Sequence, residues 1–112
     1  MTKIEAIIRP NRFDQVKDAL SALGVDGMTV SEVRGHGRQK GHTETYRGRE
    51  YDISLVQKVR IEIVVTDGRV EEIVEAIAES AATGEIGDGK IFLYAAQDAI
   101  RIRNRQRGDM AL

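Results

Sequence analysis

Val59-Arg60-Ile61-Glu62-Ile63-Val64-Val65, then Thr66-Asp67-Gly68-Arg69, then Val70-Glu-Glu-Ile73-Val74-Glu-Ala-Ile77-Ala-Glu-Ser-Ala81, changes its apolar period from two to 3.6 across a single turn. Val59, Ile61, Ile63 and Val65 alternate with Arg60, Glu62 and Val64, which predicts a strand with one apolar face. Asp67-Gly68 turns the chain, and Val70, Ile73, Val74, Ile77 and Ala81 share one helical face that Gly84 ends. Working outward, the same order occurs earlier in the chain. Ile4, Ala6 and Ile8 alternate with Lys3, Glu5 and Arg9 as far as Pro10. Asn11 is then a helix cap, and Phe13, Val16, Leu20 and Leu23 recur at helical spacing until Gly24. Met28 to about Arg34 predicts a second strand and Ile91 to Ala96 a fourth. The order is βαββαβ, an α+β ferredoxin-like sandwich whose two helices cover one face of a four-stranded sheet. The other face must meet water or another subunit. Ile7, Val64 and, in this register, Val33 interrupt its charged residues, a pattern that fits either environment.

Composition bounds the function. With 112 residues the chain is one domain, 1–112, with a single core. Seventeen basic and 18 acidic residues leave a net charge of -1, so no overall field draws it to nucleic acid or anionic lipid, and any anion site must be local. The absence of cysteine excludes disulfides, thiolate metal sites and cysteine nucleophiles. The N-terminus has a glutamate within too short an apolar run for a signal peptide, and no stretch approaches 18 apolar residues, so a cytoplasmic protein without direct membrane insertion is expected. Four-stranded sheets that bind RNA stack bases on aromatic residues of their central strands. This chain has five aromatics and none in Val59 to Val65, which argues against nucleic acid.

Chemistry concentrates between the second and third predicted strands. Residues 36 to about 55 form a long polar loop, opened by Gly35, Gly37 and Gly41 and carrying Tyr46 and Tyr51, and loops of this length in small domains are usually either binding loops or disordered. A second cluster, Thr83-Gly84-Glu85-Ile86-Gly87-Asp88-Gly89-Lys90, matches the glycine and lysine spacing of a P-loop. Ile91 stands where a P-loop needs Ser or Thr, and a strand follows instead of a helix. What remains is the material of an anion nest: glycines, backbone N–H groups and a lysine. Gly35-x-Gly37-x-x-x-Gly41 likewise has the wrong spacing for a dinucleotide fingerprint. Beyond the last strand a basic tail, about 101–112, carries Arg101, Arg103, Arg105 and Arg107. In an extended segment these would point to one side; Arg101 and Arg103, anchored by Ile100 and Ile102, read as a phosphate clamp, and Arg105 and Arg107 as a solvated tail. His36 and His42 have no serine or carboxylate partner at a recognised catalytic spacing.

The order Gly35-x-Gly37-Arg38-Gln39-Lys40-Gly41, then Tyr46-Arg47-Gly48-x-Glu50-Tyr51, resembles the nitrogen-regulatory PII signal-transduction family. The resemblance extends from Lys3-Ile-Glu-Ala-Ile-Ile through Gly27 to Val33, Lys58-Val59-x-Ile61-Glu62 and Gly87-Asp88-Gly89-Lys90 to Ile100-Arg101-Ile-Arg103, nearly the whole chain. It implies a homotrimer whose open sheet faces meet at the centre, with ATP or ADP in the cleft between neighbouring subunits. Gly35, Gly37, Arg38, Gln39, Gly87, Asp88, Gly89 and Lys90 would surround the phosphates, and Arg101 and Arg103 would arrive from the adjacent chain. Ile7, Thr29, Glu62 and Val64 would frame adenine and ribose.

The same resemblance implies 2-oxoglutarate as effector, held by Gln39, Lys40, Gly41, Lys58 and Gly87, with Lys58 on the distal carboxylate. Mg²⁺ would be bound by the ATP phosphates, the oxoacid and Gln39, oxygen ligands that suit a hard cation. Bound ligand would select a loop conformation presented to ammonium transporters, nitrogen-assimilation enzymes or kinases. Arg47 would plug the transporter pore, and a uridylyltransferase-type enzyme would modify Tyr51. This is a regulator rather than an enzyme, with a slow ATPase, or a paralogue serving another client, as the competing reading. Arg49 between Gly48 and Glu50, Gln57 before Lys58, and Tyr94-Ala95-Ala96 without a proline depart from the family pattern.

Overall fold

The computed structural model describes residues 1–36 and 55–112 in full and, between them, the backbone of two short strands at 43–46 and 49–52. The elements are β1 (Thr2–Ile8), α1 (Phe13–Ala22), β2 (Thr29–Gly35), β3 (Thr43–Tyr46), β4 (Arg49–Asp52), β5 (Val56–Val65), α2 (Val70–Ala81) and β6 (Gly89–Ala95). β2, β5, β1 and β6 form one antiparallel sheet in that order, and both helices lie on one face of it. The α+β sandwich read from the periodicity is therefore the fold. Both central strands, β1 and β5, lack aromatic residues.

The core follows from the alternation. Ile4, Ala6 and Ile8 of β1 and Val59, Ile61, Ile63 and Val65 of β5 face Val16 and Leu20 of α1 and Val70, Ile73, Ile77 and Ala81 of α2. Ile4, Ile8, Leu20, Ile61, Ile73 and Ile77 are almost fully enclosed. Each such side chain contributes about 1.5–3 kcal/mol relative to exposure, so this layer is the main source of stability. The open face carries Lys3, Glu5 and Ile7 of β1, Lys58, Arg60, Glu62 and Val64 of β5, Val33 of β2 opposite Lys58, and Lys90, Phe92 and Tyr94 of β6. Lys3 reaches Glu62 at 3.3 Å and lies over the Tyr94 ring, and Arg60 pairs with Glu62 at 3.0 Å.

Several local expectations are corrected. Asn11 does not cap α1. Pro10–Arg12 forms a 3-10 turn, Arg12 occupies the N-cap position, and no side chain caps the first turn. Pro10 favours this start because its fixed φ suits a first helical position. α2 ends at Ala81, three residues before Gly84, and β6 begins at Gly89 rather than Ile91. β5 begins at Val56, since backbone pairing with Gly35 extends it past the alternating stretch. The stretch from 36 to 55 is not wholly loop: β3 and β4 pair antiparallel, Thr43 opposite Asp52 and Tyr46 opposite Arg49. Thr43-Glu-Thr-Tyr46 has the β-branched and aromatic content of a strand, a signal masked by its charged surroundings.

The tail is not extended. Ile100 bridges to Arg107, the Arg101 N–H donates to the Gln106 carbonyl, the Arg105 N–H donates to the Arg101 carbonyl, and Arg105 adopts φ +59. Within this folded turn Arg101 bonds Gln106 and the Met110 carbonyl while Arg107 pairs with Asp98. Ile102 is 95% exposed and Ile100 half exposed, so neither anchors the backbone within the chain.

Candidate functional site

Antiparallel pairing brings the end of β1, the start of β6, the end of β2 and the start of β5 to one edge of the open face. Ile8 pairs with Gly89, Ile7 with Lys90, and Gly35 with Val56. There a cleft of about 740 Å³ is lined by Ile7, Gly35, His36, Val56, Lys58, Phe92 and the turn from Glu85 to Lys90. Gly35 and His36, at the start of the first glycine-rich segment, thus border the same cavity as the second.

The turn before β6 is built around Asp88. Its carboxylate accepts from the Thr83 N–H at 2.8 Å, the Thr83 hydroxyl at 2.5 Å and the Gly84 N–H at 2.9 Å. The two Thr83 hydrogen bonds, and after them those from Arg9 and Gly84, hold the carboxyl far below the usual carboxylate range, against a desolvation that alone exceeds the Arg9 or the Gly84 contribution. Arg9 approaches from the end of β1, its Nε 3.0 Å from Asp88 and its Nη2 donating to the Ile86 carbonyl at 2.8 Å. Asp88 is therefore a support of the turn, and its carboxylate is already engaged.

Gly87 and Gly89 adopt φ of +102 and +101. At Gly89 glycine is obligatory. A Cβ there would lie 1.7 Å from the Ile7 carbonyl oxygen, so the tight entry into β6 and the wall of the cleft depend on its absence.

Lys58 is the buried cation of the site, 8% exposed. Its ammonium donates to the Gly87 carbonyl at 2.5 Å. Burial and the Arg9 charge lower its pKa, partly opposed by Asp88. Lys90 stands exposed at the rim, and Phe92, two residues on and hence on the same face, supplies an apolar wall. An ammonium in each of two positions, a glycine turn and an apolar patch suit a small polyanion with an uncharged portion.

Of the residues singled out in sequence, Ile7, Gly35, Lys58, Gly87, Asp88, Gly89 and Lys90 meet in this cleft. Thr29, Glu62 and Val64 lie on the same sheet but outside it. Thr29 pairs with Glu62, and Val64 faces Lys3, four residues along β1 from Ile7, a separation of roughly 13 Å at strand rise. Arg101 and Arg103 follow the far end of β6, where Arg101 donates to Gln106 Oε1 and the Met110 carbonyl. Gly37, Arg38, Gln39, Lys40, Gly41 and Arg47 fall outside the described residues, and Tyr51 lies in β4, of which the backbone alone is described. Among the described residues no three His, Asp or Glu side chains cluster as a metal site, and no helix is long and apolar enough to cross a membrane. Sequence reading missed Arg9, 79 positions from its partner Asp88. It also missed Phe92, which strand alternation from Lys90 could have found.

A four-stranded ferredoxin-like sheet with an uncovered face and an anion-suited cleft at one edge defines a small-ligand-binding α+β domain. The chain belongs to the nitrogen regulatory protein P-II family, whose model matches residues 1–106. It is 56% identical over all 112 residues to the nitrogen regulatory protein P-II of Rhodospirillum rubrum and to that of Pasteurella multocida, covering 100% of each chain. The protein of that name from Synechocystis sp. is 54% identical over the same length. Among solved structures, Arabidopsis thaliana PII bound to citrate superposes with a TM-score of 0.81 at 44% identity, over 99% of this chain and 91% of that one. The family is one of nitrogen regulatory proteins.

Proposed function

We propose that this P-II protein senses the adenylate state and 2-oxoglutarate together and passes the result to its clients through residues 36–55. The observation that carries the reading is the position of the cleft. Lys58, Lys90 and the Gly87-Asp88-Gly89 turn line it beside Gly35 and His36, where that segment leaves the sheet. Nucleotide phosphates would take Lys90 and the glycine turn, and the distal carboxylate of 2-oxoglutarate would take Lys58. The citrate bound to the plant relative is a polycarboxylate of the same chemical kind. Asp88 is engaged with Thr83, Gly84 and Arg9, so Mg²⁺ would rely on oxygens of the bound phosphates and oxoacid, with Gln39 completing the set.

The distance between Ile7 and Val64 supports a site shared between neighbouring chains, which the family resemblance would make those of a homotrimer. One chain does not bring Thr29, Glu62 and Val64 beside its own cleft, whereas a second open face could, and Arg101 and Arg103 would reach that site from the neighbour. Ligand identity would shift the population of the 36–55 segment in proportion to differential affinity. Arg47 would then engage an ammonium transporter or nitrogen-assimilation enzyme, and nucleotidylation of Tyr51 would block it by bulk and charge. The protein would act in the cytoplasm. A thermal-shift series with ATP, ADP and 2-oxoglutarate, singly and combined, tests the sensing. Binding raises stability by RT ln(1 + [L]/Kd), and a melting temperature unmoved by all of them would refute it.

A further inference from the structure

The 83–89 turn is held in two distinct ways. Asp88's bonds to Thr83 and Gly84 are internal and set its shape. Its place against the sheet is set by Gly89 pairing with Ile8, by Lys58 on the Gly87 carbonyl, and by Arg9 on Asp88 and the Ile86 carbonyl. Lys58 is also the cation best placed to take a ligand carboxylate, and turning toward one weakens its hold on Gly87. Arg9 has no such conflict. It is largely buried, does not line the cleft, and grips from behind two residues that do.

We propose that Arg9 is the positioning residue of the cleft, holding the 83–89 turn against β1 so that Lys58 can engage a small polycarboxylate without the turn shifting. This rests on the reading of the cleft as a polycarboxylate site. The role needs an arginine, because two acceptors two residues apart require the separated N–H groups of a guanidinium, and a lysine ammonium satisfies them poorly. Phe13, Leu20 and the rest of the core lie elsewhere, so the effect is on the ligand site and not chiefly on folding.

The test uses the full chain in its native assembly, citrate as the probe by calorimetry, and amide NMR of Gly87 and Gly89. Arg69→Gln is the control. Arg69 also reaches across to a carbonyl, that of Leu23, but far from the cleft in sequence and structure. Arg9→Gln is expected to weaken citrate about tenfold, as loss of a charge-assisted hydrogen-bonding group would. Arg9→Lys should fall between, and Arg69→Gln should stay within about twofold of the parent. The Gly87 and Gly89 amides should shift in Arg9→Gln before citrate is added and stay in place in Arg69→Gln. If Arg9→Gln does not fold, Arg9→Lys, which keeps the charge but not the separated N–H groups, should still weaken citrate and shift the Gly87 and Gly89 amides. Citrate affinity in Arg9→Gln equal to the parent, or an equal loss in Arg69→Gln, would overturn the role of Arg9 alone. A parent protein that binds no citrate with or without MgATP would overturn the reading of the cleft and the inference with it.

Discussion

Replacing Gly89 by alanine should damage this protein far more than any other small change at the cleft. Two effects combine. A residue with a side chain is strained at the φ of +101 found there, at a cost of about 1–3 kcal/mol. The new Cβ would also lie 1.7 Å from the Ile7 carbonyl oxygen and 2.8 Å from its carbon, both backbone atoms that cannot rotate away. Relief requires the start of β6 to move off β1 at the Ile8–Gly89 pair, with loss of one or two ladder hydrogen bonds at about 1 kcal/mol each. The sum is about 2–5 kcal/mol, a large part of the 5–15 kcal/mol that holds a typical domain. Gly84 and Gly27 provide graded controls. Gly84 has φ +87 but open space around a Cβ, so Gly84→Ala should show strain alone, about 1–2 kcal/mol. Gly27 has neither strain nor neighbours, and Gly27→Ala should lie within about 0.5 kcal/mol of the parent. Urea unfolding followed by circular dichroism at one fixed protomer concentration gives the three midpoints, with slopes unchanged if the transition stays two-state. A Gly89→Ala midpoint no lower than that of Gly84→Ala would refute the steric reasoning.

Other predictions concern charge and assembly. Asp88 has a depressed pKa in the folded state, so its stabilisation is complete at neutral pH and is lost as the pH falls below about 4 through the lower folded value. Asp88→Asn should therefore lower the melting temperature at pH 7, and the gap should close in strong acid. A gap independent of pH would contradict this. Lys58 also has a depressed pKa, so it releases its proton at lower pH than an exposed lysine. Citrate affinity measured by calorimetry should fall as the pH rises through that range, and Lys58→Arg should flatten the profile. Ile7→Glu or Val64→Glu would place a charge on the open face. If the proposed homotrimer forms through this face, light scattering should show the variants reduced to the mass of one chain, and a mass unchanged from the parent would exclude this face from the interface.

The fold was legible because burial and alternation agree. Val59, Ile61, Ile63 and Val65 point inward in sequence and in space, and the helical stripes of Val16 with Leu20 and of Ile73 with Ile77 meet the same layer. Element ends were less legible. Asn11 has the chemistry of a cap, but Pro10 starts a tight turn that carries the chain past it. The β3–β4 ladder was hidden because charged residues flank its strand formers. The cleft was half legible: the glycines and lysines of both segments stand out, but their meeting depends on strand order, which brings Gly35 near Gly87 across 52 positions. Arg9 left no local trace, since its role exists through a partner at the other end of the chain. The tail misled for a related reason. Alternating arginines suggest an extended clamp, whereas bonds among Arg101, Gln106, Asp98 and Arg107 fold it into a turn.

The central claim is that one cleft joins nucleotide and oxoacid sensing, and titration of 2-oxoglutarate into the protein with and without MgATP tests it most directly. The account predicts heat and tight binding with MgATP present and a much weaker isotherm without it. Equal affinity under the two conditions would contradict it.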